Sequence, residues 1–174
     1  VIGCGLGTDP SVRELVAAVL ETAKVPVVLD ADGINALAGD INIVQTAKVP
    51  LILTPHPKEF SRLTGRSVDQ IESNREESAR SFAQAYSVIL VLKGHETLIA
   101  LPDGTLYRNT TGNAGMAKGG SGDVLAGMIG SFLAQGFAPD HAARLAVCLH
   151  GAAGDECARI RSEYGILARD IIEA

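Results

Sequence analysis

Three short apolar runs constrain the fold of this chain more than any other feature of its sequence. The runs are rich in Val, Leu and Ile and occupy residues 25–29, 51–54 and 88–92. Segments with helical patterns separate them, near residues 34–38, 57–64 and 74–85. Apolar runs of this kind are typical of strands covered on both faces. Their alternation with helices predicts an α/β fold with a doubly wound, mainly parallel sheet and helices on both faces.

The remaining segments have patterns of their own. Asp103-Gly104 is a hairpin turn signal, so residues 97–101 and 105–108 are expected to form an antiparallel ribbon at the edge of the sheet. Further helices are expected after Asp9-Pro10, from Val124 onward and near Pro139. Within the last helix, the small residues 151–154 are interpreted as a surface for close packing rather than as a phosphate loop.

Charge and hydropathy exclude two classes of partner. The formal net charge is -5, and no run of Lys and Arg could follow a phosphate backbone, so no nucleic acid is expected as a partner. No apolar run approaches the ~20 residues that cross a bilayer, so no membrane is expected either. These features indicate a globular protein that acts on small molecules.

Length and cysteine usage indicate the domain organisation and the compartment. The 174 residues fit one domain, spanning 1–174. Val1-Ile2 has the character of a strand end that runs into a glycine loop, and no initiator methionine precedes it, so we expect the domain to lack its N-terminal part. The three cysteines lack the paired spacing of a zinc site or a disulfide framework, which predicts reduced thiols in a cytoplasmic protein.

A glycine-rich segment at 112–127 is the strongest candidate for chemistry. Glycines free its backbone to wrap an anion, and a helix follows at once. The backbone N–H groups of Gly120, Ser121 and Gly122 would then form a phosphate cradle with the positive end of the helix dipole. Asp123 has two interpretations: a base that takes a proton within this cradle, or a helix cap. We favour the base.

Three more loops leave predicted strands at their carboxyl ends, where ligands bind in open α/β sheets. They span residues 3–9, 54–59 and 93–97, and we expect all three to meet the glycine-rich loop over one edge of the sheet. Simpler roles stay open for single residues: His56 as a satisfied loop histidine, Glu59 as a charge in the first turn of a helix, and Lys118 as a solvated loop charge.

Taken together, these motifs resemble one family over practically the whole chain. The sequence is similar to the ADP-dependent NAD(P)H-hydrate dehydratases of the ribokinase-like superfamily. The matching segments are Gly-Cys-Gly-Leu-Gly at 3–7, Asp-Ala-Asp-Gly at 30–33, His-Pro-Lys-Glu-Phe at 56–60, Lys-Gly-His-Glu-Thr at 93–97, and Gly-Ser-Gly-Asp at 120–123.

The resemblance implies a role for each matching residue. Asp123 would be the catalytic base, and Glu59 would hold Mg²⁺ through water. Contacts to the hydrated cofactor are implied for Gly7, His56, Asn113 and Asp123. Contacts to the adenine nucleotide are implied for Lys93, Gly94, His95, Glu96, Thr97, Gly120, Ser121 and Gly122.

The resemblance also implies an activity. ADP or ATP would phosphorylate the ring hydroxyl of hydrated NADH or NADPH, and elimination of phosphate would restore the cofactor. A homo-oligomer, such as a tetramer, and a fused or separate NAD(P)H-hydrate epimerase are the implied protein partners. Two alternatives remain at this point: a hydroxymethylpyrimidine phosphate kinase or related vitamin kinase, and a non-catalytic nucleotide-sensing module.

Overall fold

The computed structural model describes all residues from 1 to 174. Its helices are α1 (Pro10–Thr22), α2 (Ala31–Asn35), α3 (Pro57–Thr64), α4 (Val68–Glu72), α5 (Arg75–Tyr86), α6 (Ser121–Ala134), α7 (Pro139–Arg161) and α8 (Ala168–Glu173). Its strands are β1 (Val27–Leu29), β2 (Leu51–Leu53), β3 (Ile89–Leu92), β4 (Leu98–Ala100) and β5 (Leu106–Arg108). Short 3₁₀ helices cover Ile41–Thr46, Ala114–Met116 and Glu163–Gly165.

The five strands form one sheet in the order β1-β2-β3-β4-β5. Strands β1, β2 and β3 are parallel, and β4 and β5 continue the sheet as an antiparallel ribbon. Ile2 adds a parallel bridge to Leu29 on the other side of β1. The parallel centre, the hairpin ribbon and the strand character of the first residues are therefore confirmed.

Side-chain alternation along the strands divides the core into two halves. Val27 and Leu29 point to a cluster formed with α1, α3 and α5, whereas Val28 points to a second cluster formed with α6 and α7. Because successive strand residues face opposite sides, each fully buried strand supplies both clusters. Helices therefore cover both faces of the sheet, as predicted.

Two helix starts differ from the sequence prediction. Helix α2 begins at Ala31, directly after β1, and ends at Asn35, so it lies ahead of the predicted 34–38. Helix α6 begins at Ser121, ahead of the apolar pattern that starts at Val124. Gly120 is its N-cap with a φ of 89°, a left-handed conformation that glycine adopts readily. The helix start is thus set by this backbone turn rather than by apolar spacing.

The small residues of α7 serve close packing, as expected. A Cβ atom on Gly151 would lie 2.2 Å from Thr111 Oγ1, and one on Gly154 would lie 2.2 Å from Met116 Sδ. Thr111 lies just before the glycine-rich segment and Met116 lies within it, so this helix supports that loop directly. None of the helices is both long enough and apolar enough to span a membrane.

Candidate active site

Direct contacts join the four predicted loops at one edge of the sheet. The N–H of Gly7 donates to Asp32 Oδ2 over 2.8 Å, directly beyond the end of β1. The N–H of Lys93 donates to Pro55 O over 2.9 Å, which joins the loops after β3 and β2. Lys93 Nζ lies 3.0 Å from where a Cβ of Gly122 would be. Cys4 of the first loop lies beside Asp123 at the start of α6, so the four loops meet over one edge of the sheet, as expected.

A buried ion pair lies at the centre of this site. Asp30, only 1% exposed, follows β1 and accepts hydrogen bonds from Lys93 Nζ and from Thr54 Oγ1, both over 2.7 Å. Sequence analysis did not select Asp30 as a functional residue, because an aspartate between a strand and a helix is usually a helix cap. Asp30 does occupy the N-cap position of α2, but its side chain makes no capping bond.

Asp123 lies in the first turn of α6 and projects toward Asp30. Oxygens of these two carboxylates and Cys4 Sγ all lie within 4.8 Å of one another. Partial burial, together with the Asp123 and Asp30 carboxylates, raises the pKa of the Cys4 thiol to about 11. The thiol therefore stays protonated at neutral pH, and a protonated thiol is a poor metal ligand and nucleophile.

The structure shows whether Asp123 caps helix α6. The N-cap of α6 is Gly120, and no side chain caps this helix. Asp123 is the third residue of the helix, so its carboxylate is left free to face the site. A purely structural capping role is excluded.

Unpaired amides form the expected anion cradle beside this carboxylate. The N–H groups of Gly120, Gly122 and Asp123 donate to no acceptor within the protein. The expectation for Ser121 was wrong, because its N–H donates to Lys118 O over 3.2 Å in the turn that leads into the helix. Three free amides and the helix dipole still favour a bound anion at this position.

Helix α7 holds the glycine-rich loop from behind. Asn113 Nδ2 donates to Gly154 O over 2.9 Å and to Asp155 Oδ1 over 3.0 Å, and the N–H of Gly112 donates to Asp155 Oδ2 over 2.9 Å. The side-chain amide of Asn113 is therefore engaged in anchoring the loop. Asp155 was missed, since it lies 43 residues from its partner Gly112 and no local pattern marks it.

His150 ties the start of α6 to α7. Its Nε2 lies 3.0 Å from Ser121 O and 3.3 Å from Ser121 Oγ, and the residue is 8% exposed. Burial lowers the pKa of His150, with a smaller contribution from the charge of Lys93, opposed by the bond to Ser121. The imidazole is therefore neutral in the native protein at neutral pH.

This burial predicts a loss of stability in mild acid. In an unfolded chain the pKa of a histidine is about 6.5, which is above its pKa in this native structure. Below that pH the unfolded chain therefore binds a proton that the native state does not bind. The free energy of unfolding should therefore fall as the pH is lowered from about 7.5 to about 5.5. His150→Gln should reduce this pH dependence in urea unfolding. The control His141→Gln, at an exposed position of the same helix, should keep it, and an undiminished slope in His150→Gln would contradict the assignment.

His56 and Glu59 form a capping box at the start of α3. His56 Nδ1 accepts the N–H groups of Lys58 and Glu59 over 3.1 Å and 3.2 Å, and Glu59 Oε2 accepts the N–H of His56 over 2.8 Å. Burial lowers the pKa of His56. The charge of Glu59 opposes this shift, and the charge of Lys93 reinforces it. The half-exposed imidazole is thus neutral, and its Nε2 lies 3.3 Å from Glu59 Oε1.

The loop at 93–97 makes a sharp connection between β3 and β4. Gly94 has a φ of 150° and Glu96 a φ of 53°. Thr97 Oγ1 donates to Gly94 O over 3.2 Å, and the Glu96 carboxylate pairs with Arg108. His95 is exposed. These residues give the loop a fixed backbone shape beside the amide cradle.

Fold and site together define a ribokinase-like α/β domain in which unpaired backbone amides lie beside a carboxylate. A ribokinase-like superfamily protein from Enterococcus faecalis superimposes on 99% of the chain with a TM-score of 0.80 and 32% identity. Within this class, the chain belongs to the NAD(P)H-hydrate dehydratase family, whose family model matches residues 1–174.

Two relatives in this family are similar to the chain over nearly its whole length. The chain is 46% identical over 181 residues to the ADP-dependent (S)-NAD(P)H-hydrate dehydratase of Neisseria meningitidis, and covers 60% of that protein. It is 47% identical over 172 residues to the bifunctional NAD(P)H-hydrate repair enzyme of Moorella thermoacetica, and covers 32% of it. The chain therefore spans between about a third and three fifths of the length of these relatives.

A solved structure gives the same result. The Bacillus subtilis ADP/ATP-dependent NAD(P)H-hydrate dehydratase, co-crystallised with ATP and Mg²⁺, matches 99% of the chain with a TM-score of 0.88 and 42% identity. The chain covers 60% of that protein.

Proposed function

We propose that this chain forms the catalytic part of an ADP-dependent (S)-NAD(P)H-hydrate dehydratase. The observation that carries the proposal is the free carboxylate of Asp123 beside the unpaired amides of Gly120 and Gly122. A base next to an anion cradle is the arrangement that phosphoryl transfer to a hydroxyl group requires. The names of the relatives from Neisseria meningitidis and Bacillus subtilis support this substrate class.

The nucleotide would bind between the cradle and the loop at 93–97. Phosphate oxygens fit the free amides at the start of α6, and the Lys93 ammonium lies next to Gly122, where it adds positive charge. ADP is the proposed donor, with ATP as an alternative. The residues proposed to contact the nucleotide are Lys93, Gly94, His95, Glu96, Thr97, Gly120 and Gly122.

The hydrated nicotinamide would bind on the other side of Asp123. Gly7 and His56 belong to loops that reach the same edge of the sheet and are proposed to contact it. For Asn113 the proposed contact involves the backbone, because its amide nitrogen is held by α7 and its Oδ1 accepts the N–H of Gly115.

The reaction would proceed through a phosphate ester. Asp123 takes the proton of the C6 hydroxyl group while the oxygen of that hydroxyl attacks the terminal phosphorus of ADP. AMP is the leaving group. The ring nitrogen lone pair then expels inorganic phosphate, and loss of a proton from C5 restores the dihydropyridine. Cradle amides and Lys93 stabilise the charge on the transferring group, and the base contributes ~10²–10⁴ in rate.

Mg²⁺ would neutralise the charge of the phosphate groups. This ion binds oxygen ligands and usually keeps several water molecules. Glu59 is the proposed ligand, and water must mediate the contact because Glu59 is 5% exposed and its carboxylate closes the capping box with His56. A direct bond to the ion would compete with that capping contact. A water-mediated one leaves the first turn of α3 intact.

We also propose a cytoplasmic location and a homo-oligomeric state, such as a tetramer. An NAD(P)H-hydrate epimerase, fused or separate, is the proposed protein partner, and the bifunctional names of several relatives support the fused form. Since the chain spans only part of its relatives, these statements concern the whole protein.

The proposed activity is tested with ADP and chemically hydrated NADH. We expect the full-length protein to restore the absorbance of the dihydropyridine and to release AMP and phosphate in equal amounts. Phosphorylation of hydroxymethylpyrimidine phosphate without any action on the hydrate would instead assign a vitamin kinase. Nucleotide binding without turnover of either compound would indicate a sensing module.

A further inference from the structure

Arg75, the first residue of α5, lies directly beneath the loop at 93–97. Its side chain is only 15% exposed, which is unusual for an arginine that forms no buried ion pair. The nearest carboxylate is Glu72, with Oε1 3.8 Å from the Arg75 Nε. The guanidinium is held instead by backbone oxygens of the loop above it.

Three backbone carbonyl groups converge on the Arg75 guanidinium, one from Leu92 at the end of β3 and two from His95 and Glu96 in the loop. Nη1 donates to His95 O over 2.5 Å and reaches Glu96 O at 3.4 Å, and Nη2 donates to Leu92 O over 2.9 Å. Converging carbonyl dipoles repel one another, so a cation between them stabilises the turn. A forked guanidinium suits this task because it offers several donors in fixed directions.

The position of Arg75 also depends on Gly94. A Cβ atom at residue 94 would lie 2.6 Å from Arg75 Nη2, closer than real Cβ contacts allow. A side chain at residue 94 would therefore displace the guanidinium from this position. Gly94 and Arg75 are thus two parts of one arrangement.

Binding of the carbonyl groups from below orients the opposite ends of the same peptides. In a planar trans peptide the C=O and the next N–H point in opposite directions. Since Arg75 holds His95 O, the N–H of Glu96 is directed away from Arg75. The peptides whose carbonyl groups Arg75 contacts at His95 and Glu96 carry the N–H groups of Glu96 and Thr97. These two N–H groups donate to no acceptor within the protein, so they are available to a ligand.

We propose that Arg75 is a positioning residue for nucleotide binding, which fixes the carbonyl groups of the loop at 93–97 so that its N–H groups face the nucleotide. Arg75 itself touches no ligand. This inference rests on the proposed nucleotide site, and it adds a residue that lies outside the loops forming that site. In this inference the nucleotide is recognised through the orientation of the loop backbone as well as through side chains.

The test compares Arg75→Met and Arg75→Lys with Arg80→Met. Arg80 is a matched control on the same helix, because its Nη1 donates over 2.5 Å to Gly104 O in the turn between β4 and β5, away from the site. ADP affinity is measured by calorimetry on the full-length protein, together with kcat and the KM for each substrate. Arg75→Lys keeps the charge but loses the fork, and it serves if Arg75→Met does not fold.

Both Arg75 variants should weaken ADP binding by about tenfold, the effect of losing one hydrogen bond between a misoriented loop N–H and the charged nucleotide. The KM for the hydrate and kcat at saturating ADP should change little, and Arg80→Met should keep wild-type ADP affinity. Unchanged ADP affinity in a folded Arg75 variant, or an equal loss in Arg80→Met, would overturn the inference. Absence of ADP binding in the wild-type protein would refute the proposed function instead.

Discussion

Asp123→Asn should lower the turnover of hydrated NADH by roughly 10²-fold or more, the effect expected on removal of a general base. Asparagine keeps the shape of the side chain but cannot accept the hydroxyl proton. Affinity for ADP should stay within a few-fold, because backbone amides hold the phosphate. Stability should barely change, since Gly120 and not Asp123 caps the helix.

The matched control is Asp140→Asn, which removes a carboxylate from the first turn of α7 at the surface. Turnover should survive in that variant. Steady-state kinetics following the dihydropyridine absorbance would report both effects, and calorimetry would report ADP binding. Near-wild-type turnover in Asp123→Asn would show that another residue acts as the base, with His56 as the next candidate.

Asp30→Ala should destabilise the protein by about 3 kcal/mol, because it leaves the Lys93 ammonium without its partner in a largely buried position. Lys93→Met should have a similar effect, since the Asp30 carboxylate would then keep only Thr54 as a donor. Removing both charges, in Asp30→Ala with Lys93→Met, should recover much of the lost stability while turnover stays low.

Urea unfolding of the three variants gives the interaction energy between the two charges as a double-mutant cycle. Strictly additive losses would show that the pair is not coupled and that solvent screens Lys93. High turnover in the double variant would show that Lys93 takes no part in the transfer of phosphate. The two readouts are independent, so stability and catalysis can be separated.

Local sequence patterns were sufficient for most of the secondary structure. The predicted helix at 57–64 matches α3, because His56 and Gly65 cap its two ends. The strand runs were recognisable from their apolar residues alone, since both faces of each central strand are buried. The start of α6 was not, because it depends on the left-handed backbone of Gly120 rather than on side-chain pattern.

The candidate site was only partly predictable. Loops that follow strands could be assigned to one edge, but their supports could not. Asp30 and Lys93 are 63 residues apart, and Arg75 and His95 are 20 apart. Asp155 reaches the glycine-rich loop across 43 residues. Such partners are brought together by tertiary folding, and no periodicity or spacing within a window of sequence encodes them.

Attachment of the glycine-rich loop to α7 at both of its ends has a consequence for binding. Thr111 Oγ1 donates to Cys148 O over 2.8 Å at one end, and His150 contacts Ser121 at the other. A loop restrained in this way loses its conformational entropy when the chain folds, not when a ligand arrives. The phosphate therefore meets a preorganised receptor, and association should proceed without an ordering step in this segment.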